Sequence, residues 1–159
     1  MGMGFGTGMI GSPMVIMWAN SDGSVTLSQR QATEHAMPNV VDAPPRVAAL
    51  EKDLTTASGD KIQFAFSIPS DGNANPPIIW AFGDKNPNSS AVDATLARHL
   101  DKGKTSLSFA ATTGGNSTNG NSNNGTTTGN GAQNSALGLF PGHELVVVSA
   151  LIFGLVVTV

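Results

Sequence analysis

The chain has 159 residues, a net charge of −3 and only 12% charged side chains. No basic surplus points to a nucleic-acid partner. Cysteine is absent, which excludes disulfides, thiolate zinc sites, iron–sulfur clusters and cysteine nucleophiles together.

The amino-terminal stretch MGMGFGTGMIGSP alternates glycine through its first eight residues and then reaches Met9. Gly6, Gly8 and Gly11 fit the letters G-x-G-x-x-G. A dinucleotide loop needs a strand before those glycines and a helix after them. Here almost nothing precedes them, and Met14 to Trp18 is a dense apolar run that reads as a buried strand. An N-myristoylation signal is excluded as well, because position 6 is glycine where serine or threonine is required. Asn20-Ser21-Asp22-Gly23 is a turn signal. After it, Val25 and Leu27 alternate with Ser24, Thr26 and Ser28, as in a strand packed on one side. RVAALEK, from Arg46 to Lys52, reads as an edge strand or a short helix behind Pro44-Pro45. KIQFAFSI puts Ile62, Phe64, Phe66 and Ile68 on one strand face. IIWAFG does the same with Ile78, Trp80 and Phe82, and TSLSFA with Leu107 and Phe109.

One segment, SSAVDATLARHLDKG, has a helical pattern. Ser90 supplies a cap and Asp93 sits near the positive end of the dipole. Val92, Leu96 and His99 would share a face, and Gly103 would end the helix. Short strands separated by Gly, Pro and Asn turns predict an all-β, antiparallel two-sheet sandwich over residues 1–110.

Composition changes near residue 111. Residues 111–136 are rich in Asn, Gly, Thr and Ser, with no apolar side chain larger than alanine. Such a stretch buries too little surface to offset its ordering entropy and is expected to be a disordered linker. It carries glycosylation sequons at Asn116 and Asn124; a third lies at Asn88. Residues 137–159 end in LVVVSALIFGLVVTV, an uncharged run shorter than the about 20 residues of a spanning helix. Small residues at Asn134-Ser135-Ala136, a spacer and then an apolar tail match a glycosylphosphatidylinositol attachment signal. Asn134 is the leading attachment residue, followed by Asn130 and Gly131. A tail anchor and a buried terminal strand are the alternatives. Lipid attachment requires a secretory signal, and the first residues have neither a basic region nor a long apolar core. The chain is therefore expected to begin inside a domain.

Few residues suit hydrolytic chemistry. His143 lies in the tail spacer and His35 in a polar, turn-rich stretch without partners at metal spacing. Asp22, Asp42, Asp84, Asp93 and Asp101 are scattered through turns. There is no H-E-x-x-H, G-x-S-x-G or paired-carboxylate motif. His99 reads either as a satisfied core or surface histidine or as a ligand. Met1, Met3, Met9, Met14 and Met17 read as fillers of core gaps, but a methionine and a histidine together are also an axial pair for haem iron.

The stretch MGFGTGMIGSPMVIMWANSDGSVTLSQR resembles the cytochrome-type DOMON domain of fungi. That is the haem domain at the front of cellobiose dehydrogenase and in small stand-alone relatives. The match lies at Gly4-Phe5-Gly6-Thr7-Gly8-Met9, at Met14 to Trp18 and at Asn20 to Arg30; IIWAFG and the DATL segment ending in His99 are also similar. The resemblance implies a two-sheet sandwich holding haem b without covalent attachment, with Met9 and His99 as axial ligands. It gives the glycines a reason, since a flat macrocycle needs close backbone approach. Phe5, Trp18, Trp80 and Phe82 become candidates for its apolar wall. Two protein ligands leave iron no open position, so the implied role is one-electron transfer without catalysis by the domain itself. The implied partners are separate: a flavin dehydrogenase as donor or a copper polysaccharide monooxygenase as acceptor. Sugar-binding relatives make a carbohydrate-binding or adhesion module the alternative. The family also has strands ahead of the glycine turn, which this sequence lacks. The implied location is the outer face of the plasma membrane or the cell wall, with the membrane held through the C-terminal anchor.

Overall fold

The computed structural model describes residues 1–109 and 145–151. Its strands are β1 (Gly2–Phe5), β2 (Pro13–Ala19), β3 (Val25–Gln31), β4 (Asn39–Val40), β5 (Ala49–Leu50), β6 (Gln63–Pro69), β7 (Pro77–Phe82), β8 (Asp101–Ser106) and β9 (Leu145–Leu151). One sheet has the order β4-β3-β2-β1-β7-β8 and the other β5-β6-β9. Every pairing between these strands is antiparallel. The all-β, two-sheet architecture expected from the alternating strands is the one observed.

The core lies between the sheets. Met3, Val15, Met17 and Ile78 meet Phe64, Phe66 and Ile68 of β6. Phe5 stands edge-on to Phe66, with ring centroids 6.3 Å apart. The Arg46 guanidinium covers the Phe5 ring at 5.1 Å and reaches Asp71 at 3.3 Å, closing that end of the core. Strand alternation explains the assignment of faces. Val15 and Met17 point inward, while Met14, Ile16 and Trp18 point to the outer face of the larger sheet.

β3 departs from the half-solvated strand that its sequence suggests. Val25 and Leu27 do pack against the core. Thr26, Ser28 and Arg30, on the opposite face, are buried too, Arg30 to 1% exposure. The cover is the segment after β7. Asn86 Nδ2 donates to Ala19 O, and Trp18 Nε1 to Ser89 O. Thr26 Oγ1 donates to Ser90 O, and Ser28 Oγ to Val92 O. Arg30 Nη2 donates to both Val92 O and Ala94 O, at 2.7 and 2.8 Å. Arg30 also donates through Nε to Ser28 Oγ and through Nη1 to Pro38 O. Burial lowers the Arg30 pKa from its ordinary value, and the charge of Asp93 opposes that shift. Carbonyl dipoles thus replace water around the guanidinium.

These bonds correct the helix expected over SSAVDATLARHLDKG. The segment is irregular up to Leu100, and β8 then begins at Asp101. A helix would use the carbonyls of Ser90 and Val92 for its own ladder. Side chains of β3 take them instead. Val92 is consequently half exposed rather than on a buried face with His99. Gly103, expected to end the helix, is in mid-strand opposite Trp80. The strand expected at TSLSFA lies earlier, and Leu107 and Phe109 follow it with backbone bonds to Pro76 O and Ala74 O.

β9 runs beside β6 in register from Gln63↔Leu151 to Pro69↔Leu145. Within the apolar tail, the described residues Leu145–Leu151 are thus a strand paired with β6. The linker 111–136, Asn116, Asn124, Asn130, Gly131, Asn134 and His143 lie outside the described residues. Among the described residues no helix is long and apolar enough to cross a membrane.

Arg30→Met should cost about 2–4 kcal/mol of stability, because it leaves buried carbonyls without a donor. Urea denaturation checks this, and a loss below about 0.5 kcal/mol would contradict the assignment. A chain ending at residue 144 bares a seven-residue edge of β6. It should self-associate or unfold earlier in sedimentation and thermal scans; unchanged behaviour in both would mean that β6 needs no partner on that side.

Candidate functional site

The four residues of β1 serve two faces. Met3 is inside the core and Phe5 packs against it, while Gly2 and Gly4 face outward. Gly2 lies opposite Ile16 on β2 and Ala81 on β7. Gly4 lies opposite Met14 and Ile79. The outer face therefore carries a stripe of bare backbone between β2 and β7, a furrow that the side chains of Ile79 and Met14 cover at Gly4. A Cβ on Gly4 would fall 2.8 Å from Ile79 Cγ1 and 3.3 Å from Met14 Cγ. One on Gly6 would collide with Ser12 Oγ. Glycine at these positions is a packing requirement. Gly4 and Phe5 belong to β1, and the glycine-rich loop begins only after Phe5.

Two loops close the furrow's ends. At one end Gly6 N donates to Pro77 O and Gly11 N to Ala32 O. Gly11 has φ of +76°, which favours glycine. Ser12 Oγ, lying over the outer face of Gly6, donates to Gly8 O. The loop is thus folded toward the furrow side. Met9 sits in it, half-buried and outside the core cluster that takes Met1, Met3 and Met17. At the other end Leu100 N donates to Phe82 O at 2.8 Å. His99 is half-buried there, and its Cα is 3.8 Å from the position of a Cβ on Gly83. The chain reaches it from the segment held on the outer face by Arg30.

Met9 and His99 do not touch. They stand on loops at opposite ends of β7, whose five steps from Pro77 to Phe82 span about 17 Å. A thioether and an imidazole are a ligand pair for haem iron, and these two residues lie on the loops that flank β7.

Of the expected wall residues, only Trp18 is on the furrow side, and its indole N–H is spent on Ser89 O. Phe5 packs on Phe66. Trp80 is opposite Met3, on the inner face, with its ring against Gly103; Phe82 has the same strand parity. The apolar sides come instead from Met14, Ile16, Ile79 and Ala81. The signal for them was the period-two glycine pattern of β1, which marks a strand with one bare face. Asn88 is exposed with φ of +52°, so its sequon is accessible. His35 is exposed. Among the described residues no group of three His, Cys, Asp or Glu side chains is placed to hold a metal ion.

A family model for the cytochrome domain of cellobiose dehydrogenase matches residues 1–118. Among curated proteins and among solved structures none matches.

Gly4→Val should lower stability by about 1–3 kcal/mol through overpacking against Ile79 and Met14. Gly8→Ala should leave it unchanged, since a Cβ there meets nothing within 4 Å. Equal thermal midpoints for the two variants would contradict the furrow.

Proposed function

The chain belongs to the family of the cytochrome domain of cellobiose dehydrogenase, and from that premise we propose that it is a haem b electron carrier with Met9 and His99 as axial ligands. The family match supports the reading, as does the position of the two residues on the loops that flank the two ends of β7. Bound haem supplies a one-electron couple. The protein's part is to hold and to exclude. Met9 offers a soft sulfur from the β1–β2 loop, and His99 an imidazole nitrogen from the approach to β8. With both Met9 and His99 bound to it, the metal would have no position open to oxygen or substrate. Met14, Ile16, Ile79 and Ala81 would lend the group apolar neighbours, and a thioether ligand in a dry surround raises the reduction potential.

Electrons then pass to and from separate molecules. A flavin dehydrogenase is the proposed donor and a copper polysaccharide monooxygenase the proposed acceptor. The proposed setting is extracellular, and the exposed Asn88 sequon supports it.

The test is reconstitution with haem. The full chain should give a sharp Soret band that shifts on reduction. Met9→Ala and His99→Ala should each broaden or abolish it, while far-ultraviolet circular dichroism stays unchanged. A spectrum indifferent to both substitutions overturns the ligand assignment. Retention on a polysaccharide matrix with no chromophore would support a binding module instead.

A further inference from the structure

The β2–β3 turn and the loop after β7 border a polar cleft of about 340 Å³. Asn20, Ser21 and Asp22 form one wall, and Asn88, Ser89 and Ser90 the other. Hydrogen bonds fix both walls and leave several of the cleft's own groups free. On the turn, Asn20 N donates to Ser24 O, and Asn20 Nδ2 to Ser24 Oγ and Thr26 Oγ1. Asp22 Oδ1 accepts from Ser24 N and Ser24 Oγ, while its Oδ2 has no partner among the described residues. On the loop, Asn86 Nδ2 donates to Ala19 O and Asn86 Oδ1 accepts from Asn88 N. Trp18 Nε1 donates to Ser89 O, and Thr26 Oγ1 to Ser90 O. Asn88 is held exposed at φ of +52°. Among the described residues its side-chain amide is bonded to nothing, and neither is the hydroxyl of Ser90 or Ser21. Asn88-Ser89-Ser90 is also an N-glycosylation sequon.

We propose that Asn88 carries an N-linked glycan whose first sugar ring seats in this cleft and bridges the loop to the β2–β3 turn. The inference rests on the extracellular setting proposed above and not on the haem. In the transfer, Asn88 Nδ2 bonds to C1 of an oligosaccharide carried on a lipid pyrophosphate. The C1–O bond to the pyrophosphate breaks and Nδ2 gives up one proton, with no change of oxidation state. The folded chain then places the sugar. An N-acetylhexosamine offers hydroxyls and an acetamide, which donate and accept hydrogen bonds. Asp22 Oδ2 and the hydroxyls of Ser21 and Ser90 are the unspent groups that meet them. The cleft is at the small end of ligand pockets, which suits a single ring. The covalent tether keeps that ring at high local concentration, so weak polar contacts suffice to hold it.

The experiment secretes the full chain behind a leader from a glycosylating host and trims its glycans enzymatically to the innermost sugar. Ser90→Ala made the same way is the comparison, since it removes the Asn88 sequon and keeps Asn88, Asp22 and any sugars at Asn116 and Asn124. Peptide mass should show one sugar on Asn88 in the parent chain and none in Ser90→Ala. The parent should melt about 3 °C higher, and Ser90→Thr, which keeps the sequon, should match the parent. Asp22→Ala should remove most of the difference between sugar-bearing and sugar-free chains, because the ring loses its carboxylate partner. Made without sugars in a bacterium, parent and Ser90→Ala should melt alike. An Asn88 left bare during secretion overturns the modification. Occupancy without a melting difference overturns the seat in the cleft. So does a difference that Asp22→Ala leaves untouched, or one equally large in the bacterial chains. No haem is added in any arm, so each of these failures leaves the haem reading standing, and a missing Soret band leaves the glycan standing.

Discussion

Arg30 is the constraint on which the arrangement depends. It is a full charge taken out of water on the outer face of β3, and a charge so placed must be surrounded by acceptors. The acceptors are backbone carbonyls at Pro38, Val92 and Ala94. Ser28, Thr26 and Trp18 add further donors along the same line. Together they hold a segment with no regular structure flat against the sheet. That path decides where the chain leaves β3 and therefore where His99 arrives. A polar cluster that touches neither candidate ligand thus positions one of them.

The other candidate is positioned by β1. Its Gly-Met-Gly-Phe pattern puts Met3 and Phe5 toward the core and bare backbone on the opposite face. One four-residue strand both anchors the sandwich and opens the furrow. The same parity carries across the register to Ile79 and Ala81, and then to Lys104 and Lys102. Bare glycine backbone, its apolar neighbours and two exposed lysines are three consequences of one strand alignment.

Much of this was legible in the residues, and the exceptions have physical causes. Period two in Ile62 to Ile68 marked β6, and the dense run Met14 to Trp18 marked β2. Both are local signals, and local signals sufficed for the two-sheet architecture. The helical pattern at Ser89 to Gly103 was also a true local signal, but buried donors more than sixty residues away competed for the same carbonyls. Nothing within the segment reveals those donors. Conversely, Thr26, Ser28 and Arg30 read as a solvated face because polar residues on alternate positions usually are one. Phe5, Trp80 and Phe82 suggested a cofactor wall by size alone, while the register turns Phe5 and Trp80 inward or onto Gly103. Met9 stood out for its neighbours rather than its type: among methionines that fill the core, it is the one in a glycine-rich loop outside it.

The central claim is a sulfur and an imidazole meeting across one iron from the two ends of a glycine furrow. Iron X-ray absorption of the haem-loaded full chain reads that coordination directly. The account predicts one sulfur neighbour beside the nitrogen shell, lost in Met9→Leu while the porphyrin nitrogens remain. A shell of light atoms alone in the wild-type chain, or a sulfur that survives Met9→Leu, would contradict it.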